Sequence, residues 1–193
     1  MTHTLHRIAG KTKDESDFVI IAMPARGINN QDVIEKFEKF IEIFKRHNAI
    51  NMGGMKVGHL YDSTPEEIVD RLYDDLPMIQ GVFSNRDDLV GALKEIKAED
   101  IGISVIVTGL VDDVDCCCKE SGVKRHSINY SLGVWGNLDK IEDERYLELT
   151  TMCGHSMISV NLVKKMIKDI EKGRKTIEEA AAELARPCVC GIF

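Results

Sequence analysis

Two short pairs of residues carry the chemistry this sequence can be expected to do. Cys153 and His155 stand two apart, and so do Cys188 and Cys190. Thiolates and imidazoles are the donors that soft and borderline metals select, so three thiols and one imidazole suit a closed tetrahedral zinc site. An iron–sulfur cluster would take cysteines alone: Cys153, Cys188, Cys190 and one of the run Cys116-Cys117-Cys118. Neither set follows a standard ligand spacing, and the chain has no Cys-x-x-Cys pair. Buried free cysteines also often do no more than fill space, which is the competing reading.

A metal-free alternative makes Cys153 a nucleophile. The pattern predicts a helix opening at residue 153, and a helix N-terminus collects free N–H groups and positive potential, which favour a thiolate. Gly154 lets the backbone approach a ligand closely. His155 is then the base, or His126 if a tight turn keeps His155 from its neighbour. His126 and His59 otherwise read as hydrogen-bonded core histidines, and His3, His6 and His47 as surface residues. Trp135, between two glycines, reads as packing or as the rim of a pocket.

Other familiar constellations are missing. Gly10-Lys11-Thr12 resembles the end of a phosphate-binding loop, but Leu5 occupies the place of its first glycine. Asp112, Asp113 and Asp115 lack the spacing and the closing glutamate of an EF-hand and read as a solvated turn. Asn129-Tyr130-Ser131 matches a glycosylation acceptor, which has meaning only in an exported chain.

Composition sets the limits around these sites. A chain of 193 residues, 44% of them hydrophobic, can bury a real core as one domain. A net charge of −7 argues against nucleic acid and against an anionic membrane surface as partners. No apolar run reaches the roughly 18 residues needed to span a bilayer. The N-terminal stretch lacks the apolar core of a signal peptide, so the expectation is a soluble cytoplasmic protein with six reduced cysteines. Partners in that setting are a small-molecule substrate, in redox or other chemistry, and a second copy joined through the apolar chain end, residues 191–193. That last feature also fits a non-catalytic assembly module.

The elements that position the cysteines follow from periodicity. Residues 17–23 read as a buried strand, and Val33, Phe37, Phe40 and Phe44 as the core stripe of a helix ending near His47. Residues 51–54 read as a turn and 55–61 as a strand. Thr64-Pro65-Glu66-Glu67 is a helix start with its capping box, 78–83 a buried strand, Ser84 or Asn85 the cap of the next helix, and 103–108 a strand. Alternation from 17 to 108 predicts an α/β layered sheet, with a split, ferredoxin-like or α+β arrangement as the alternative. Residues 109–123 read as a loop or short helix, while 126–134 and 146–152 read as strands. A long helix from 153 to 172, ended by Gly173, and a second from Thr176 to Pro187 then form a C-terminal hairpin over residues 153–193. The second helix is shorter, so the returning chain must run past its end for Cys188 and Cys190 to meet Cys153.

Overall fold

The computed structural model describes residues 17–129, 131, 133 and 135–193. The first strand, β1 (Phe18–Met23), is the centre of the architecture. Its side chains alternate in direction: Phe18, Ile20 and Ala22 enter one apolar cluster, Val19 and Ile21 another. A strand buried on both faces needs an unbroken apolar run, as this segment has.

The other strands are β2 (Asn51–Gly54), β3 (Gly58–His59), β4 (Ile79–Phe83) and β5 (Ser104–Thr108), arranged β3-β2-β4-β1-β5 with every neighbouring pair antiparallel. Helix α1 (Val33–Arg46) joins β1 to β2, which run parallel with β4 between them. Beyond the short α2 (Pro65–Asp70), α3 (Arg86–Glu99) joins β4 to β5 with β1 between them. Two interleaved βαβ units of this kind make the split, ferredoxin-like form of a layered α/β fold. The alternation of strands and helices therefore yields an antiparallel sheet.

Helices α1 and α3 cover one face through Phe37, Phe40, Phe44, Leu89 and Leu93, and α4 (Val111–Ser121) adds Cys117 to that cluster. The second face is covered by the C-terminal part of the chain. After a 3₁₀ turn at Leu138–Lys140 come α5 (Glu144–Thr150), α6 (Val160–Glu171) and α7 (Ile177–Ala185). Val163 and Met166 of α6, with Ala180 and Leu184 of α7, pack on Val19, Ile21 and Val82.

The caps fall where local chemistry puts them. Thr64 and Thr176 form reciprocal capping boxes with Glu67 and Glu179, and Asn85 accepts from the Asp88 N–H at 2.9 Å. Past the last turn of α6, the Arg174 and Gly173 N–H groups bond back to the Asp169 and Ile170 carbonyls at 2.8 and 2.9 Å, with Gly173 left-handed.

Several segments differ from expectation. Residues 51–54 are a strand, because pairing with β4 overrides their turn-like composition. Residues 55–61 contribute only Gly58–His59 to the sheet. Residues 144–150 are helix, started by the Asp143 carboxylate, which accepts from the Arg145 N–H at 3.1 Å. Between 126 and 134 no described residue is in a strand; Tyr130, Leu132 and Val134 lie outside the described residues, as do His3, His6 and the Gly10-Lys11-Thr12 motif. Among the described residues no helix is long and apolar enough to cross a membrane.

Candidate metal centre

Cys153 does not open a helix. Residues 153–156 form a turn closed by the Ser156 N–H on the Cys153 carbonyl at 3.0 Å, with Ser156 left-handed at φ 56°. Helix α6 starts seven residues later, where the Ser159 hydroxyl accepts from the Leu162 N–H at 3.2 Å. The macrodipole of α6 therefore does not act at Cys153. The later start also shortens α6 to 12 residues against nine in α7. The two lengths are closer than periodicity implied, so the returning chain comes back to the start of α6.

Residues 188–191 form a second turn of the same kind. The Gly191 N–H bonds to the Cys188 carbonyl at 3.1 Å, and Gly191 is left-handed at φ 70°. The turn brings the Cys188 and Cys190 thiols to one side of the chain. The two turns face each other, each presenting a pair of donors two residues apart. Cys188 Sγ lies 3.8 Å from Cys190 Sγ, Cys190 Sγ lies 3.7 Å from His155 Nδ1, and the Cys153 and Cys188 thiols are near enough to shift each other's acidity. All three cysteines are buried against the second sheet face, while His155 stands at the solvent edge. For comparison, sulfurs bound to zinc at about 2.3 Å stand about 3.8 Å apart along a tetrahedral edge. Among the described residues no group of three or more His, Cys, Asp or Glu side chains is placed so that it could hold a metal ion as it stands. The separations that the structure gives are those of paired donors.

Backbone dipoles converge on the sulfurs. The Phe193 N–H donates to Cys188 Sγ at 3.3 Å, the N–H groups of Met157 and His155 favour the thiolate at Cys153, and that of Ile192 does so at Cys190. The thiols nonetheless differ in acidity. The hydrogen bond with Cys188, and then burial, push the Cys153 thiol up. At Cys188 the contact with Cys153 pulls down, but the bond to Cys190 and burial outweigh it, so this thiol is also raised. Cys190 is held below the ordinary thiol range by its bond with Cys188, in spite of burial. The order makes Cys190 the most acidic thiol of the group and keeps the proton on Cys153.

The remaining candidates are elsewhere. Cys117 and Cys118 belong to α4; Cys117 packs in the cluster on the opposite face of the sheet, Cys116 is exposed, and burial raises the first two. No fourth thiol joins Cys153, Cys188 and Cys190, so the ligand set expected for an iron–sulfur cluster is not assembled. His126 is exposed, with Nδ1 3.3 Å from the Ser127 hydroxyl, on a groove of about 630 Å³ beside β5 that Lys97, Val105, Val107 and Cys118 also line. The expected core environment of His126 is absent, and among the described residues of this segment none is in a strand. Trp135 is 81% exposed, which leaves it no packing role in the core. Asp115 is bound to Lys119 and Arg125, consistent with a solvated acidic face.

Sequence reasoning missed a polar patch on the sheet. Register puts Ile106, Ile21, Gln80, Gly53 and His59 in one row across all five strands, with Asn51 in the next row. This is the face that the C-terminal turn covers: a methyl group at Gly191 would stand 2.6 Å from His59 Cβ. Gln80, Asn51 and His59 are buried, and both Gln80 amide atoms, Asn51 Nδ2 and His59 Nδ1 have no hydrogen-bond partner. Each such group costs about 1–3 kcal/mol unless something satisfies it. The signal for it was Gln80 inside the apolar run 78–83. No family model, curated protein or solved structure matches this chain.

Proposed function

We propose that this protein binds a zinc-class metal ion through Cys153, Cys188, Cys190 and His155, and uses it in small-molecule chemistry. The observation that carries this reading is the convergence, from segments more than 30 residues apart, of three sulfurs and an imidazole nitrogen with contacts of 3.7 and 3.8 Å, each sulfur favoured by a backbone N–H. Thiols that only pack have no use for donors aimed at sulfur; thiolates do. The chemistry of the set, soft sulfur with one borderline nitrogen, matches zinc better than magnesium or calcium. Because His155 stands at the solvent edge, an outside molecule can approach the ion from that side.

Metal analysis of protein purified anaerobically tests the reading, followed by titration of the metal-free form with Co(II). One equivalent of metal and a thiolate-to-cobalt charge-transfer band are expected, lost in Cys153→Ser and Cys190→Ser and kept in Cys116→Ser. Folded protein that takes up neither zinc nor cobalt refutes it. The pairing of Cys190 with His155 favours a second reading, a metal-free thiol enzyme whose nucleophile is Cys190, since the Cys153 thiol is held protonated.

A further inference from the structure

We propose that Cys188 and Cys190 form a reversible dithiol–disulfide pair that exchanges with small-molecule disulfides, with Cys190 as the entry sulfur. The proposal stands without the metal reading: it uses two of the same sulfurs, and no step of it needs an ion.

The pair is placed by its turn. Cys188 and Cys190 are the first and third residues of the turn that the Gly191 N–H closes on the Cys188 carbonyl at 3.1 Å. A four-residue turn brings its ends within roughly 7 Å, and residues two apart in it fall inside the roughly 4.4–6.8 Å between Cα atoms that a disulfide spans. The two sulfurs already stand 3.8 Å apart. The Phe193 N–H donates to Cys188 Sγ at 3.3 Å and ties that sulfur to the chain end. The surroundings also suit the product. Ile158 and Ile192 belong to the same buried cluster as both thiols, and a disulfide carries no S–H donor for burial to leave unpaired.

Access has a direction. Val189, between the two cysteines, is 52% exposed, so the turn lies at the surface although both thiols are buried. Cys190 Sγ is the sulfur that meets His155 Nδ1, at 3.7 Å, and His155 is exposed. A small disulfide arriving at that edge therefore meets Cys190 before Cys188. The Cys190 sulfur attacks one sulfur of the incoming molecule as its proton passes to the imidazole. The S–S bond of that molecule breaks, and its first thiol leaves with the proton. The Cys188 sulfur then attacks Cys190 in the mixed disulfide. The second thiol leaves with the Cys188 proton, and the Cys188–Cys190 bond remains. Two protein thiols have lost two electrons and two protons, and the incoming disulfide has gained them. The reverse exchange restores the dithiol. Disulfides of this transient kind are the ones a reducing compartment allows.

Thiol counting on metal-free, full-length protein tests the pair. The Cys116→Ser form serves as the parent, because it lacks the exposed thiol and keeps five of the six cysteines. Oxidised glutathione is the probe, added anaerobically, with acid quenching and alkylation. Free thiols are expected to fall from five to three, and to return to five in dithiothreitol. Residues 176–193 hold no cysteine besides Cys188 and Cys190, so a peptide map tells their bond from one to Cys153. Adding Cys153→Ser should keep the bond. Adding Cys190→Ser should abolish it, and adding Cys188→Ser should leave glutathione trapped on Cys190. Five free thiols in the folded parent overturn the proposal. So does a bond from Cys153 to Cys188, or glutathione that stays on Cys190 with Cys188 still free.

Discussion

At Cys153, Cys188 and Cys190 the proton inventory makes opposite predictions for metal-free and metal-loaded protein. Cys153 and Cys188 are raised in the folded chain, so without metal their contribution to stability is complete below the ordinary thiol pKa of about 8.5 and is lost as pH climbs toward the folded values. Cys117 and Cys118 act in the same direction. Cys190 is lowered, so its contribution is present above the ordinary value and is lost as pH falls through the folded one. Four raised thiols outweigh one lowered thiol, and the urea midpoint of metal-free protein should drop between pH 8 and pH 10. Cys153→Ala should flatten that drop. With metal bound, the centre holds thiolates in the folded state while the unfolded chain still binds protons, so stability should rise with pH up to about 8.5 and level off. Acid should then release the metal. Urea melts across this range, with and without a chelator, check the sign; identical profiles would mean that these sulfurs hold no ion.

At the scale of elements, the left-handed turns separate conformational cost from steric cost. Gly173 and Gly191 have nearly the same backbone, φ 64° and 70°, but a methyl group at Gly173 meets nothing within 4 Å while one at Gly191 meets His59. Gly173→Ala should therefore cost about 1 kcal/mol for the left-handed conformation. Gly191→Ala should cost about 3 kcal/mol, since the tightly packed ring has to move as well. Equal losses in chemical denaturation would mean that the C-terminal turn does not press on His59.

Elements whose instructions are local were legible in the sequence: the capping boxes of Thr64 and Thr176, the Asn85 cap, the Gly173 stop and the two-sided apolar run of β1. Segments whose state is set by a partner were not. Asn51, Gly53 and Gly54 have turn composition but pair with β4 and β3, and the alternation from 126 onward finds no strand to pair with among the described residues. The site divides in the same way. Cys153, His155, Cys188 and Cys190 announce themselves as two pairs on two corners of a helical hairpin. The polar patch of His59, Gln80 and Asn51 is assembled only by sheet register, which no local pattern encodes.

For the whole molecule, the decisive feature is that one sheet has two apolar faces and the chain covers them in separate halves. The first face is closed by α1 and α3 from within the βαβ units; the second waits for residues 153–193. A sheet this apolar on both sides does not tolerate water on one of them. Ile192 is buried in the second cluster beside Cys188 and Cys190, so within this chain the apolar end packs on its own sheet. Removing residues 188–193 deletes that contact and the two thiols together, and leaves the floor around Val82, Gln80 and His59 open. Ile192→Ala alone should cost about 2–5 kcal/mol, the range for large-to-small changes in a core. Truncation after Pro187 should cost at least as much, out of the roughly 5–15 kcal/mol that holds a domain folded. Exposed apolar surface should then bind a hydrophobic dye and drive self-association in spite of the net charge of −7. Chelated full-length protein, still folded and free of the dye, is the reference that separates loss of packing from loss of metal. Should sedimentation find the truncated chain at the full chain's oligomeric state, with an unchanged melting point, the terminal segment does not close this face.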